Sequence, residues 1–218
     1  MSEAPDRRER PDLVPPPVSF WTGIVSRAEV WIYELNESGH WFFGFYDWCN
    51  EIWARLAFRS VRERASRLDE PLAGKDITAR MRMLGSEDLE DFVALLETLD
   101  QHKYLPPHRL DRSGARAALE RASYLPFGVF DEERLVGYWL VRLFFPRRAA
   151  TGVWMLSEYF DSGLGTRGVF TTGTFTTGEG FADYITVPLD NTASLRGAVT
   201  AGWRVVRKNH RFYVLVRD

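Results

Sequence analysis

The spacing of hydrophobic and polar positions changes twice along the chain, and each change predicts a different structure. Residues 1–17 are charged and proline-rich without apolar periodicity, so we expect a disordered leader there. Residues 18–76 are dense in aromatic side chains, and Trp41–Arg67 has the spacing of a long amphipathic helix. From residue 77 to residue 218, short strand-like runs are interspersed with helical stretches. The pattern predicts a leader, an aromatic-rich helical extension and one folded domain.

Charged side chains recur every four residues along the predicted helix of the extension. They are Asp47, Glu51, Arg55, Arg59 and Glu63. The apolar residues Trp48, Ile52, Trp53, Leu56 and Ala57 lie off this charged stripe, so we expect an apolar face there. Three interpretations fit such a face: an extra layer on the domain core, an interface with a second copy or another protein, or a helix at a membrane surface. The acids in the stripe argue against an anionic membrane.

The domain from residue 77 onward has elements of both types. In chain order these are an edge strand at Thr78–Leu84, helices at 86–99 and Ser113–Ala122, strands at Phe127–Phe130, Leu135–Phe145, Ala149–Leu156 and Tyr184–Val187, a helix at Asn191–Ala201, and strands at Trp203–Arg207 and Phe212–Val216. This order predicts an α+β domain built on one mixed sheet. Glycines and threonines between residues 168 and 178 lower helicity by roughly 5 kcal/mol relative to alanine, so helix, strand and loop all stay open there.

Composition excludes several classes of function. The chain has 218 residues, 45% of them hydrophobic, a net charge of -2 and an isoelectric point near 6.1, so no global basic field attracts nucleic acid. A single cysteine, Cys49, excludes a disulfide framework, and the four histidines lack metal-ligand spacing. No apolar run reaches the roughly 18 residues of a membrane-spanning helix. We expect a cytoplasmic protein without a metal.

Two motifs in the last third of the chain carry candidate chemistry. The first is the turn Tyr159–Thr166, which contains Gly163 and Gly165. A glycine turn before a helix presents bare backbone N–H groups to a phosphate. The second is the run Asn191–Arg196, which closes on Gly202 and Trp203 and places a side-chain amide beside the same cleft. Together they resemble the GNAT superfamily of acyl-CoA-dependent N-acyltransferases, whose element order also resembles that of residues 78–218.

The resemblance implies a GNAT-like mixed β-sheet flanked by helices, with acetyl-CoA as co-substrate. In the family, the turn follows the pattern Arg/Gln-x-x-Gly-x-Gly/Ala and holds the CoA pyrophosphate, and the asparagine bonds the pantetheine arm. The cofactor-binding residues that it implies here are Met155, Ser162, Gly163, Leu164, Gly165, Thr166, Asn191 and Ser194. Asn191 also suits a simpler role, because asparagine is a favoured N-cap of a helix.

The turn departs from the family pattern in its charge. Phe160 stands at the Arg/Gln position and supplies no donor, and Asp161 places a negative charge beside the expected pyrophosphate. Two unit charges about 5 Å apart at an effective dielectric near 20 repel by roughly 3 kcal/mol, or about a hundredfold in affinity before screening.

The usual catalytic groups of the family are also missing, because Ala198, Ala149 and Thr186 stand at their positions. We name three substitutes. Glu158 follows the fourth strand of the resemblance, Tyr184 lies on the fifth, and His108 lies in a loop bordering the expected acceptor pocket and has a side chain that titrates near neutrality. Each has a purely structural alternative: a solvated turn, a core tyrosine and a surface histidine.

Two functions follow from these observations. The first is an N-acyltransferase that moves acetyl from acetyl-CoA to a primary amine on a small molecule, an amino sugar or a peptide N-terminus. The second is a catalytically inactive GNAT-like binding or scaffold module that uses the aromatic extension to bind a partner or form a homodimer. The missing catalytic groups and the acidic turn motivate the second.

Overall fold

The computed structural model describes residues 41–99 and 108–217, so the predicted leader and the first part of the extension lie outside the described residues. Its strands are β1 Asp69–Ala73, β2 Thr78–Met83, β3 Tyr124–Asp131, β4 Arg134–Phe144, β5 Arg148–Met155, β6 Ala182–Pro188, β7 Arg204–Lys208 and β8 Phe212–Arg217. Its α-helices are α1 Trp41–Ala57, α2 Arg59–Ala65, α3 Leu89–Leu99, α4 Arg112–Glu120, α5 Leu164–Gly178 and α6 Thr192–Thr200.

All eight strands belong to one sheet, in the order β1-β2-β3-β4-β5-β6-β8-β7. Every neighbouring pair is antiparallel except β5 and β6, which run parallel. The predicted α+β class with one mixed sheet is therefore confirmed. The prediction that Thr78–Leu84 is an edge strand was wrong, because β1 pairs along the outer side of β2 and buries Leu72.

Helices cover both faces of the sheet, as two consecutive residues of β4 show. Tyr138 packs edge-on against Phe92 of α3, with ring centroids 4.9 Å apart. Trp139 points the other way and lies beneath α5, where a Cβ on Gly168 would come within 2.4 Å of its ring. Because successive strand residues point to opposite faces, α3 and α5 lie on opposite sides of the sheet.

The segment left open in the sequence forms α5, despite its unfavourable composition. Gly168 and Gly173 bring the helix close to the sheet, since side chains there would collide with Trp139 and with Trp203 and Arg217. Four of its threonine hydroxyls also bond to carbonyls four residues earlier, which satisfies them within the helix. Close packing therefore overrides the intrinsic cost of glycine and threonine.

The predicted long helix of the extension is interrupted. α1 ends at Ala57, Phe58 leaves the helical conformation with φ -114° and ψ 11°, and α2 begins at Arg59. Phe58 is buried and packs edge-on against Phe181, with centroids 5.0 Å apart. The interruption therefore places an aromatic side chain in the core.

The orientation of α1 is the reverse of what its amphipathic pattern predicts. Asn50 donates to the Leu143 carbonyl at 2.9 Å and accepts from the Phe145 N–H at 3.1 Å. The carboxylate of Glu51 accepts from the backbone N–H groups of Ala122 and Ser123 at 2.8 and 3.2 Å. Strand ends leave backbone groups that need polar partners, and α1 provides them.

The predicted apolar face of α1 is consequently exposed. The exposed apolar stripe of α1 comprises Phe45, Trp48, Ile52 and Leu56, with exposed fractions of 55, 60, 41 and 79%.

Helix α1 lies where β3 and β6 begin and β4 ends, whereas the glycine turn follows the other end of β5. Seven residue steps of about 3.3 Å separate the two ends of β5, or roughly 23 Å.

Among the described helices, none is long and apolar enough to cross a membrane.

Candidate active site

Strands β5 and β6 are paired over only part of their length. Their parallel register links Arg148 with Ala182, Ala149 with Asp183 and Ala150 with Tyr184, and then ends. Beyond that point, β5 stays paired with β4 while β6 stays paired with β8. The sheet therefore opens between the carboxyl halves of two parallel strands, the kind of crevice in which α/β sheets bind ligands.

The glycine turn lies at the open end of this crevice. After a short 3₁₀ turn at Ser157–Tyr159, Asp161 and Gly163 both take left-handed conformations, with φ of 59° and 85°. Gly163 is the N-cap of α5, and a Cβ built on it meets no atom within 4 Å. The backbone here needs glycine for its conformation, and open space lies in front of it.

Two backbone donors at the start of α5 face no protein acceptor. Among residues 41–99 and 108–217, neither the Gly165 nor the Thr166 N–H has a hydrogen-bond partner, whereas Leu164 donates weakly to the Ser162 hydroxyl at 3.3 Å. These groups lie at the positive end of the helix dipole. Leu164 itself is fully buried, so its side chain anchors the turn in the core.

The second motif meets the first across the two helices. The Thr166 hydroxyl lies 3.1 Å from where a Cβ on Gly197 of α6 would stand, so the helices touch there. Asn191 is the N-cap of α6, and its Oδ1 accepts from the Ser194 N–H at 3.1 Å. The capping role expected of Asn191 is therefore present, and its Nδ2 keeps two protons for another acceptor. Ser194 is exposed in the first turn of α6.

A buried hydroxyl marks the point where β5 and β6 diverge. Thr151 is the first residue of β5 beyond the pairing with β6, and it is 7% exposed. Its Oγ1 has no hydrogen-bond partner in the described part of the chain. Open space before Gly163, the free N–H groups at the start of α5 and the opening between β5 and β6 suit a ligand with a polar arm and an anionic end.

The two residues that depart from the charge pattern of the family's turn, Phe160 and Asp161, lie at the protein surface. The Phe160 side chain is 53% exposed, and Asp161 is also exposed beside it. Neither side chain supplies a cation to the turn. Arg167 in the first helical turn of α5 and Arg196 on α6 are exposed cations on the two helices that meet beside the turn.

The three catalytic candidates lie at separate places along β4. Glu158 forms an exposed ion pair with Arg134 at 2.7 Å, and the ring of Tyr184 stacks on Phe144 with centroids 6.4 Å apart. Arg134 and Phe144 are the two ends of β4, about 33 Å apart at 3.3 Å per residue. Glu158 and Tyr184 therefore cannot share one reacting atom.

His108 lies against the middle of β4, where its two ring nitrogens are both engaged. Nδ1 lies 2.9 Å from the Arg109 carbonyl and Nε2 lies 3.0 Å from the Tyr138 hydroxyl. Because a carbonyl only accepts, Nδ1 carries the proton and Nε2 accepts from Tyr138. Burial lowers the pKa of His108, which favours this neutral form. The Nε2 lone pair of His108 thus accepts the hydrogen bond of Tyr138, which is fully buried.

Tyr184 is the candidate nearest the crevice, because it pairs with Ala150 at the last linked position of β5 and β6. Its neighbour Asp183 points toward α5 and accepts from Thr176, so Tyr184 points to the opposite face of the sheet. Among the described residues, no group of three or more metal-ligating side chains occurs.

Comparison with known proteins bears on the fold. Neither a protein-family model nor a curated protein matches the sequence. The structure is similar to the GNAT domain of PAT from S. lividans, with a TM-score of 0.60 and 13% identity over 69% of this chain and 96% of that one. It is also similar to RimJ from Mycobacterium smegmatis, solved with CoA-disulfide, with a TM-score of 0.54 and 19% identity over 68% and 85%.

A third similar structure is ribosomal-protein-S5-alanine acetyltransferase from Vibrio fischeri, with a TM-score of 0.54 and 17% identity over 63% of this chain and 91% of that one. In all three comparisons most of the other structure is matched, whereas about a third of this chain is not. The shared architecture confirms the resemblance found in the two motifs. The chain has the fold of the GNAT N-acetyltransferases.

Proposed function

We propose that the protein is an N-acyltransferase that transfers acetyl from acetyl-CoA to a primary amine. The observation that carries this is the meeting of three features at one place: the opening between β5 and β6, the glycine turn at Gly163, and the capped start of α6 at Asn191. An adenine nucleotide with a long polar arm and a thioester matches a site with free N–H groups at one end and an unpaired strand edge at the other.

Each part of the site has an assigned task in this proposal. The N–H groups of Gly165 and Thr166, with the Ser162 hydroxyl nearby, bind the pyrophosphate. The open edge of β5 up to Met155 pairs with the pantetheine arm, and Asn191 donates to it through Nδ2. Ser194 borders this path on α6, and Leu164 holds the turn in place.

Acetyl-CoA supplies an activated thioester. The protein's task is to align an amine with it, to remove a proton from the amine and to donate a proton to the leaving thiolate. We assign Tyr184 as the acid that protonates the departing thiolate, because it is the candidate beside the end of the β5–β6 pairing. Glu158 and His108 lie away from that position, because Glu158 pairs with Arg134 at the start of β4 and His108 bonds to Tyr138 in the middle of β4. Both are therefore weaker assignments than Tyr184.

Replacing Tyr184 with phenylalanine tests this assignment. A thiolate is already a good leaving group, since free thiols have a pKa near 8.5, so we expect Tyr184→Phe to lower kcat only about tenfold. The ring and its stacking on Phe144 are kept, so the Kd for acetyl-CoA should not change. Release of free CoA thiol, followed with wild type and variant, measures the effect. An unchanged kcat would remove Tyr184 from the mechanism.

The same thiol-release assay identifies the class of acceptor. A panel containing small polyamines, amino sugars and peptides with free N-termini covers the three classes expected from the sequence. The similarity to the S5-alanine acetyltransferase, which is named for an alanine of a protein, makes peptides the first class to try. The proposed compartment is the cytoplasm, where acetyl-CoA is available and Cys49 stays reduced.

A second function, that of a binding module, is favoured by the exposed stripe of α1. Four large apolar side chains on one helix face are unusual for a surface and are typical of an interface. On this proposal, a second copy of the chain covers the stripe.

The substitution Trp48→Glu tests whether the apolar stripe of α1 binds a second copy of the chain. Val199→Glu on α6 is the matched control, because Val199 is also an exposed apolar residue, with an exposed fraction of 44%. The module function predicts that light scattering finds wild type and Val199→Glu as dimers and Trp48→Glu as a monomer. Acetyl-CoA affinity should be equal in all three, since α1 lies at the opposite end of β5 and Val199 lies about 200° around α6 from Gly197, which faces α5. A monomeric wild type would leave this function without support.

A further inference from the structure

The turn between β1 and β2 is docked on the glycine turn. The Lys75 N–H donates to the Ser162 carbonyl at 2.6 Å, although the two residues are far apart in sequence. A Cβ on Gly74 would come within 2.6 Å of the same oxygen, so only glycine permits this approach. The Gly74 N–H also donates to the Ile77 carbonyl at 2.8 Å, which closes the turn. The contact is therefore built into the β1–β2 hairpin.

This contact places a lysine beside the start of α5. The Lys75 side chain is exposed, and within residues 41–99 and 108–217 it has no acidic partner. Its backbone lies next to the carbonyl that precedes Gly163, and a flexible four-carbon stem carries its ammonium. The ammonium can therefore reach the space in front of the turn, where the N–H groups of Gly165 and Thr166 point.

The charge that Lys75 brings is the charge that the turn itself lacks. Phe160 replaces a cation or amide of the family pattern, and Asp161 adds a negative charge. Asp76 contributes a second carboxylate next to Lys75, and Arg167 contributes a second cation from the first turn of α5. Without Lys75 the two acids Asp76 and Asp161 would only be balanced by Arg167 and Arg196, so the surroundings of the turn would offer a pyrophosphate no net positive charge.

We propose that Lys75, presented by the β1–β2 turn, is the cationic ligand of the cofactor's phosphates in this protein. This inference rests on the proposed function, because it assigns a residue to the same site. It makes the hairpin part of the cofactor site and gives a reason for its docking on Ser162. The phosphate-binding role of the family's turn is thus divided here between two segments: backbone N–H groups come from α5 and the positive charge comes from β1–β2.

Calorimetric titration with acetyl-CoA tests this assignment. We expect Lys75→Met to weaken binding about tenfold and Lys75→Arg to retain most of the affinity, since arginine keeps the charge. Arg59→Met on α2 is the charge-matched control, because it removes one exposed cation at the opposite end of the sheet. Asp161→Asn should strengthen binding, because it removes the opposing charge from the same turn.

A second ligand distinguishes the loss of a phosphate contact from a general loss of cofactor binding. Acetyl-pantetheine lacks the pyrophosphate, so Lys75→Met should bind it as wild type does. Equal affinity of wild type and Lys75→Met for acetyl-CoA would overturn the assignment of Lys75 while leaving the proposed function intact. Failure of wild type to bind acetyl-CoA would instead overturn the proposed function itself.

Discussion

Gly163→Glu should abolish acetyl-CoA binding while leaving the protein folded. Gly163 has φ 85°, a conformation that costs a residue with a Cβ about 1–2 kcal/mol. A carboxylate placed there would also face the phosphates at a distance of about 5 Å, which at an effective dielectric near 20 costs roughly 3 kcal/mol more. Affinity should fall at least a hundredfold, as measured by calorimetry.

The chain provides a closely matched control for this substitution. Gly202, after α6, has φ 90°, and a Cβ built on it also meets nothing within 4 Å. Gly202→Glu therefore introduces the same strain and the same charge into open space, at the end of α6 away from Asn191. It should bind acetyl-CoA like wild type. If Gly163→Glu and Gly202→Glu bind equally well, the cofactor does not lie on the glycine turn.

Asp183→Asn should raise the stability of the protein at pH 8 and leave it unchanged at pH 4. Asp183 is 1% exposed, and burial raises its pKa from the usual 3.8 to about 7. Its Oδ2 accepts from the Thr176 hydroxyl at 2.6 Å, but its Oδ1 has no partner in the described chain. The charged form is therefore poorly compensated in the folded protein.

The direction of the pH dependence follows from proton binding. Between pH 4 and pH 7 the folded state holds a proton on Asp183 that the unfolded state has released, so stability falls as pH rises through this window. Above pH 7 the loss is complete, and the shift from 3.8 to about 7 corresponds to about 4 kcal/mol. Asparagine avoids this cost, because its side chain is uncharged and its amide oxygen can accept from the Thr176 hydroxyl as Oδ2 of Asp183 does.

Thermal unfolding followed from pH 4 to pH 8 measures the difference between the two proteins. The melting temperatures of wild type and Asp183→Asn should diverge as pH rises and run parallel above pH 7. Asp91→Asn, an exposed position on α3, should show no such divergence. A constant offset between wild type and Asp183→Asn at every pH would contradict a buried, protonated carboxyl at this position.

Local sequence patterns were enough to predict the fold class, and they also motivated the candidate site at the glycine turn. Gly163 and Asn191 were informative because their roles are local: one takes a left-handed conformation before a helix, and the other caps a helix. Short apolar runs similarly predicted β3, β4 and β5, and the side chains of β3 and β4 are buried on both faces of the sheet. Such signals depend on a few neighbouring residues and need no knowledge of distant contacts.

The features that the sequence could not predict all depend on distant contacts. The helical state of α5 depends on Gly168 fitting against Trp139, and the reversed orientation of α1 depends on Asn50 bonding to backbone groups at the end of β4. Lys75 received no role in the sequence analysis, because its contact with Ser162 exists only once β1 has paired with β2. No local pattern marks these residues, so only the assembled sheet identifies them.

Calorimetric titration of the wild-type protein with acetyl-CoA tests the central claim most directly. The opening between β5 and β6, the free N–H groups of α5 and the Lys75 ammonium together predict saturable binding at one site per chain, weakened by added salt. Acetyl-pantetheine should bind more weakly than acetyl-CoA, since it lacks the phosphates. No detectable heat of binding at millimolar acetyl-CoA would contradict the claim that this protein is an acyltransferase.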